Sequence, residues 1–269
     1  LKRETFVDCA GLFFIRRRHI SGYDYFVINQ SASPIDEWIS LAAAYESVLL
    51  MDPMTEKTGL ADIDKNADKK IRIQLEPGAS LIIRTLNEDH GYEHKWSYLE
   101  YGNSFTLQGK WKLEFIAGGP KFPAACEIRT LTSWTGLSEE AASFAGTALY
   151  RIEFDLPFKA QACLLDLGEV HSSARVRLNG KDIDTLIGPV FKTVLNNLKP
   201  SGNVSEIEVT NLSANRIRDL DKRGIEWKIF EDINFIDRQG SPFNAAKWPI
   251  IPSGLLGPVQ LIKLEQVNI

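Results

Sequence analysis

Short β-type runs, each closed by Gly, Pro, Asn or Ser, follow one another along almost the whole of this chain, and long helical periods are missing. In ARVRLNGKDID, Ala174, Val176 and Leu178 alternate with Arg175, Arg177 and Asn179, which gives one apolar and one polar side. Asn179-Gly180 then supplies the positive φ angles of a two-residue hairpin. FFIRRRHISGYDYFVIN predicts two strands around Ser21-Gly22, and IRIQLEPGASLIIRTL two more around Pro77-Gly78, each read as a hairpin. A second series follows from Tyr101: FTLQGKWKLEFI, ALYRIEFDLP, ACLLDLG, ARVRLNGKDID, VFKTVL, SEIEVTNL and PVQLIKLEQV. A catalytic (β/α)8 barrel would need helices of ten or more residues between strands. The expected fold class is therefore all-β, with two β-sandwich domains, residues 1–101 and 102–269.

Two segments are less regular. DEWISLAAAYESVLLMDP suits either a helix or two strands broken near Glu46, and TEKTGLADIDKNADKK reads as a polar, exposed loop. A long connection, residues 213–257, links SEIEVTNL to PVQLIKL and carries Trp227 and Trp248, with a short helix predicted around Trp227 to Glu231. Connections of this length inside a compact domain are often functional.

Charge narrows the partners. The net charge is −4, with both signs scattered, so there is no basic field to hold a phosphate backbone and no nucleic-acid partner is expected. Arg16, Arg17 and Arg18 form the only dense basic run and mark the solvent side of a strand. No apolar stretch approaches the roughly 20 residues that cross a bilayer, so no membrane partner is expected either. The opening LKRETF has neither an initiator Met nor a signal peptide and suggests a piece of a longer polypeptide or a mature form. Cys9, Cys126 and Cys163 lack CxxC spacing and are expected to be buried free thiols.

Three groups of stretches carry a resemblance. FAGTALYRIEFDLP followed by LLDLGEVHSSARVRLNGKDI resembles the sugar-binding jelly roll of glycoside hydrolase family 2 enzymes. SEIEVTNLSANRIRD and the ending PSGLLGPVQLIKL look like the C-terminal end of family 106 α-L-rhamnosidases, whose barrel precedes several β-sandwich domains. RRHISGYDYFVIN, MDPMTEKTG and LEPGASLII resemble that family's post-barrel β-domain, with Glu56-Lys57 standing where a Gly is expected after Thr55. The resemblance covers nearly all of the chain. It implies a galactose-binding-like jelly roll as the second domain, and an accessory, carbohydrate-binding part of a bacterial enzyme acting on plant or bacterial polysaccharide. Because the family's catalytic carboxylates belong to the barrel, it implies no catalytic residue here. It also implies an upstream catalytic domain of the same polypeptide as partner, and a periplasmic or extracellular location. The alternative is a free-standing glycan- or protein-binding adhesion module.

A glycosidase needs two carboxyl groups about 5–9.5 Å apart across the scissile bond. Adjacent pairs such as Glu139-Glu140 and Glu231-Asp232 diverge on a strand or helix, so a complete small hydrolase is disfavoured. His171, without a second ligand or a nucleophile, reads as a polar loop residue. His90 and His94 lie one helical turn apart, but Gly91 weakens the helix that a metal site there would need. Asp62, Asp64, Asn66 and Asp68 repeat like the oxygens of a calcium loop, although Ala67 and Ile73 hold its glycine and glutamate places; a structural calcium is admitted, and no other cofactor is expected. Sugar recognition needs flat rings and a few fixed polar groups. Trp111, alternating with Leu113 and Phe115, reads as core, and Trp38 as packed. Trp227 and Trp248, with Arg216 and Glu226, are the candidate sugar-binding residues, with Arg218 and Asp219 as polar company and structural anchoring as the competing role for both rings.

Overall fold

The computed structural model describes residues 3–65, 69–88, 94–229, 236 and 240–265. Two compact units divide the chain, the first running to Glu100 and taking back Glu265, the second being Tyr101–Leu264.

The first unit contains β1 (Leu12–His19), β2 (Gly22–Asn29), β3 (Ile35–Ser40), β4 (Ser47–Met51), β5 (Thr58–Leu60), β6 (Ile63–Asp64), β7 (Lys70–Leu75) and β8 (Ser80–Leu86). They form a five-stranded sheet, β1-β2-β8-β4-β5, and a three-stranded sheet, β3-β7-β6. Alternate residues of both sheets meet in one core: Tyr25, Val27, Val48, Leu50, Leu81 and Ile83 from the first, Ile39, Ile71, Ile73 and Leu75 from the second. The unit is a β-sandwich.

Several expectations change here. Pro77-Gly78 reverses the chain, but β7 and β8 belong to different sheets, so the turn is a sandwich corner and not a hairpin. Residues 36–53 make two strands, β3 and β4, again in different sheets. The described residues of the segment 55–70 are not an open loop: β5 pairs with β4 and β6 with β7, and Gly59 is buried. Glu56 takes a φ of 60°, so it adopts the left-handed geometry for which Gly was expected nearby. Trp38 is not packed. Ile39 pairs with buried Ile71, which fixes the alternation of β3 and turns Trp38 outward, 45% exposed, opposite Arg72. The three thiols are free, but only Cys163 is fully buried.

The second unit contains β9 (Tyr101–Thr106), β10 (Trp111–Gly119), β11 (Cys126–Ile128), α1 (Glu139–Ala142), β12 (Ala145–Phe154), β13 (Ala162–Asp166), β14 (Glu169–His171), β15 (Ser173–Leu178), β16 (Lys181–Ile187), β17 (Lys192–Asn196), β18 (Asn203–Thr210), α2 (Ala214–Lys222), β19 (Gly254–Gly257) and β20 (Gln260–Leu264). A six-stranded sheet, β11-β10-β12-β18-β15-β16, faces a four-stranded one, β17-β13-β20-β9, and β14-β19 forms a short ribbon beside them. Every pairing between these strands is antiparallel. Trp111, Leu113, Phe115, Ala148, Tyr150, Val176 and Ile207 meet Cys163, Leu165, Leu195 and Leu261 in the core. This is the jelly-roll sandwich, and the motif FAGTALY contributes Phe144, Ala148 and Tyr150 to its interior.

The ribbon 173–187 is the expected hairpin: Asn179 and Gly180 have φ of 52° and 78°. Its outward face is a charged ladder. Glu208 of β18 meets Arg175 and Arg177 of β15 at 3.8 and 2.7 Å, and Glu206 lies 3.8 Å from Arg151 of β12. His171 is a strand residue in β14 and not a loop residue, because Val170 and His171 pair with Leu255 and Gly254 of β19.

Candidate functional site

The long connection is built around α2, which the sequence placed too late, at 227–231. The described part of that segment, Trp227 to Ile229, is not helical. Helix α2 ends where Gly224 takes a φ of 64°. The N–H groups of Gly224 and Ile225 then reach back to the carbonyls of Asp221 and Leu220, which closes the last turn and folds Trp227 back toward the helix.

Three residues at steps of three, Asn215, Arg218 and Asp221, grip the returning chain in reverse order. Asn215 donates from Nδ2 to the Ile251 carbonyl at 2.7 Å and accepts from the Ile251 N–H at 2.9 Å. Arg218 Nε donates to the Trp248 carbonyl at 2.6 Å. Asp221 accepts from the Ala245 N–H at 2.7 Å and from the Trp227 indole at 2.6 Å. Positions three apart lie on one helix face, so the helix and residues 245–251 fasten together like a zip.

Ser253 locks the far end. Its N–H donates to Ser133 Oγ at 2.9 Å, its carbonyl accepts from the Trp134 N–H at 3.0 Å, and its Oγ accepts from Asn211 at 3.1 Å. The stretches TNLSAN and PSGLLG, which carry much of the resemblance, are thus bonded to each other.

An aromatic cluster sits on this frame. Phe243 packs edge-on between Trp227, at 6.2 Å, and Trp248, at 5.4 Å between ring centroids. Lys228 donates to the Phe243 carbonyl at 2.5 Å, stands 3.5 Å from Asp221, and lies over both the Trp227 and Phe243 rings. Burial by itself would raise the Asp221 carboxyl. The Ala245 N–H, the Trp227 indole and the Lys228 ammonium outweigh it and hold the group below the usual carboxylate range.

The four candidate residues therefore occupy different settings. Trp227 spends its indole N–H on Asp221. Trp248 keeps 38% of its surface exposed. Arg216 points from the opposite face of α2 and joins Arg223 on the carboxylate of Asp219, at 3.1 and 2.6 Å. Glu226 is exposed beside Trp227 in sequence. Phe243, Asp221 and Lys228 were missed because they become neighbours only when the connection folds back on α2; the Asn-x-x-Arg-x-x-Asp spacing was the available signal.

Other candidates resolve as follows. His171 Nε2 lies 2.8 Å from Glu169 Oε1, so this histidine has a carboxylate partner that the sequence reading denied it; both groups are at the surface. A groove of about 690 Å³ runs between Thr106–Trp111, Arg129–Leu131 and Leu256–Val259. Its single aromatic, Trp111, is turned into the core and offers no ring face. Asn66, Asp68, His90, Glu231 and Asp232 lie outside the described residues. Among the described residues no group of three His, Cys, Asp or Glu is placed to hold a metal ion, and no helix is long and apolar enough to cross a membrane.

No family model matches the chain. A putative beta-glucuronidase of Formosa agariphila is 31% identical over 187 residues, covering 61% of this chain and 16% of that protein. The structure of a rhamnosidase from Novosphingobium sp. PP1Y covers 94% of this chain with a TM-score of 0.71 and 24% identity, over 24% of its own length. A Ruminococcus gnavus beta-glucuronidase covers 60% of this chain with a TM-score of 0.40 and 20% identity, over 28% of its length. The chain thus spans a quarter or less of the first two proteins. In fold it is a β-sandwich region like the matched part of that rhamnosidase, and in sequence it is similar to part of the putative beta-glucuronidase.

Proposed function

We propose that this chain is a non-catalytic, carbohydrate-binding accessory part of a larger glycoside hydrolase of the α-L-rhamnosidase kind, family 106 in type. The observation that supports this most is the Trp227–Phe243–Trp248 cluster, an aromatic surface held in place by backbone and carboxylate bonds on a fold shared with part of a rhamnosidase. Trp248 is the ring that meets sugar, stacking on the C–H face of a pyranose, while Trp227 is a positioning residue fixed by Asp221. Lys228 and the exposed Glu226 supply the polar rim; Arg216, engaged with Asp219, takes no part. The partners are then polysaccharide and a catalytic domain of the same polypeptide, and a periplasmic or extracellular location follows from such a substrate. The reading calls for no cofactor.

The test is an NMR titration of the chain with rhamnose- and glucuronate-containing oligosaccharides at millimolar concentration, since single modules bind weakly and a Kd near ~1 mM is only about 4 kcal/mol. Shifts are expected at the Trp248 indole and at Lys228, and Trp248→Ala should abolish them while the chain keeps its thermal transition. If the Lys228 shift persists unchanged in Trp248→Ala, the ring is an anchor and not the sugar contact, and if the unaltered chain shows no shifts at all, the sugar-binding reading falls. Turnover of aryl glycosides by the purified chain would overturn the non-catalytic reading.

A further inference from the structure

The two large sheets treat water differently on their outward faces. On the six-stranded sheet the row Arg151–Glu206–Arg177 crosses three adjacent strands and is charged throughout. On the five-stranded sheet the register aligns Ile15, Phe26, Ile82 and Met51 in one row across β1, β2, β8 and β4, with Phe13 and Ile28 as a second row beside it. These are outward positions, since Phe14, Tyr25, Val27, Ile83 and Leu50 hold the inward ones. Phe13, Ile15 and Phe26 are 56, 66 and 42% exposed. A sheet face that meets water is written in polar residues, and a contiguous apolar patch of this kind marks an interface.

We infer that this face is covered by another folded domain of the same, longer polypeptide, which presents an apolar patch flanked by a carboxylate. The inference rests on the accessory reading above. Two observations choose the occupant. The proteins that this chain resembles in sequence and in fold continue for three quarters or more of their length beyond the matched part. The next row on the face is Arg17–Asp24–Arg84, in which Arg84 holds both oxygens of Asp24 at 2.7 and 3.1 Å. Arg17, exposed opposite Asp24 and acting on its carboxylate without a close ion pair among the described residues, gives this row two arginines for one carboxylate and so room for a second carboxylate from outside. A glycan is the wrong occupant, because among the apolar residues of these rows Ser80, at the end of the second, is the single polar side chain, too little to fix the hydroxyls of a sugar.

Hydroxyl-radical footprinting tests this by comparing the isolated chain with the complete product of the gene that encodes it. Phe13, Phe26 and Met51 should be modified several-fold (about fivefold) less in the complete product, as in a desolvated interface core. Met54, 73% exposed and off the face, should be unchanged. Ile15→Lys, at an exposed position that the isolated fold tolerates, should restore modification of Phe26 and Met51 in the complete product. Equal modification in both samples overturns the interface and leaves the accessory role standing. Protection already present in the isolated chain, with a dimer mass in sedimentation equilibrium that Ile15→Lys abolishes, overturns it in favour of a second copy. A gene product with no domain beyond these two units overturns both this inference and the accessory reading.

Discussion

Asp221 shows how one carboxylate orders a surface loop. Its side chain is 6% exposed and collects the Ala245 N–H, the Trp227 indole and the Lys228 ammonium. Its folded pKa lies below the ordinary value, so the stability it contributes is present above the unfolded carboxylate pKa of about 4 and is lost as the pH falls through the folded value. The Trp227 indole proton, shifted downfield by its short bond, should therefore move toward its free position only below about pH 4. Asp221→Asn should abolish that titration and cost about 1–2 kcal/mol at pH 7, the lower part of the range for bonds to charged groups, because Lys228 is a third exposed and water screens it. An indole resonance that is equally displaced in Asp221→Asn and flat with pH in both proteins would show that the carboxylate does not hold the ring. At this scale the sequence was partly legible. Trp227 and Trp248 stood out as rings in an irregular stretch, whereas Asp221 was one acid among 35 until the fold brought two N–H donors and the Lys228 ammonium to it.

Between elements, the decisive contact is the one between α2 and the returning segment 245–251. Asn215, 3% exposed, satisfies both the N–H and the carbonyl of Ile251 and also reaches Ser253 Oγ at 3.3 Å. Asn215→Ala leaves the part-buried N–H and carbonyl of Ile251 without this partner and should cost about 1–3 kcal/mol. Arg216→Ala, one residue on but on the opposite helix face, removes only a surface ion pair and should stay within about 0.5 kcal/mol. Urea unfolding of the two variants distinguishes them, and equal losses would refute the zip. The sequence missed α2 because Ile217 and Leu220 are its only apolar pair, too little for a periodic signal, although Ser213 and Gly224 bracket it. It read the Asn179-Gly180 hairpin correctly because that turn is a local matter of two φ angles. Pro77-Gly78 gave an equally clear reversal, but a turn does not say whether the strands it joins remain partners. β2 and β3 claim β8 and β7 for different sheets, and that choice is made by pairings between residues 30 to 60 positions apart.

Taken whole, the molecule has two cores that share no residue. Phe6, Tyr25, Ile71 and Ile83 belong to one, and Trp111, Trp134, Phe144 and Leu165 to the other. Alternation along the strands was enough to foresee two sandwiches, since each run of short strands carries its own inward set. The assignment of Trp111 to the core followed from the same period; Trp38 failed because its strand is registered by Ile39. The tryptophans make the two cores separable in an experiment. Trp111 and Trp134 are fully buried, and Trp134 packs against Phe115 at 5.5 Å and Phe144 at 6.2 Å, so they should dominate the near-ultraviolet circular dichroism. Leu165→Ala opens a cavity in that core and should cost about 2–5 kcal/mol, lowering the urea concentration at which the near-ultraviolet signal is lost. Ile83→Ala removes comparable volume from the first core and should cost a similar amount, about 2–5 kcal/mol. It should act on the far-ultraviolet strand signal, while the near-ultraviolet midpoint stays where it is in the unmodified chain. If each variant instead shifts both signals together, the separate cores do not melt separately, and the stability of either sandwich has to be sought in the whole chain.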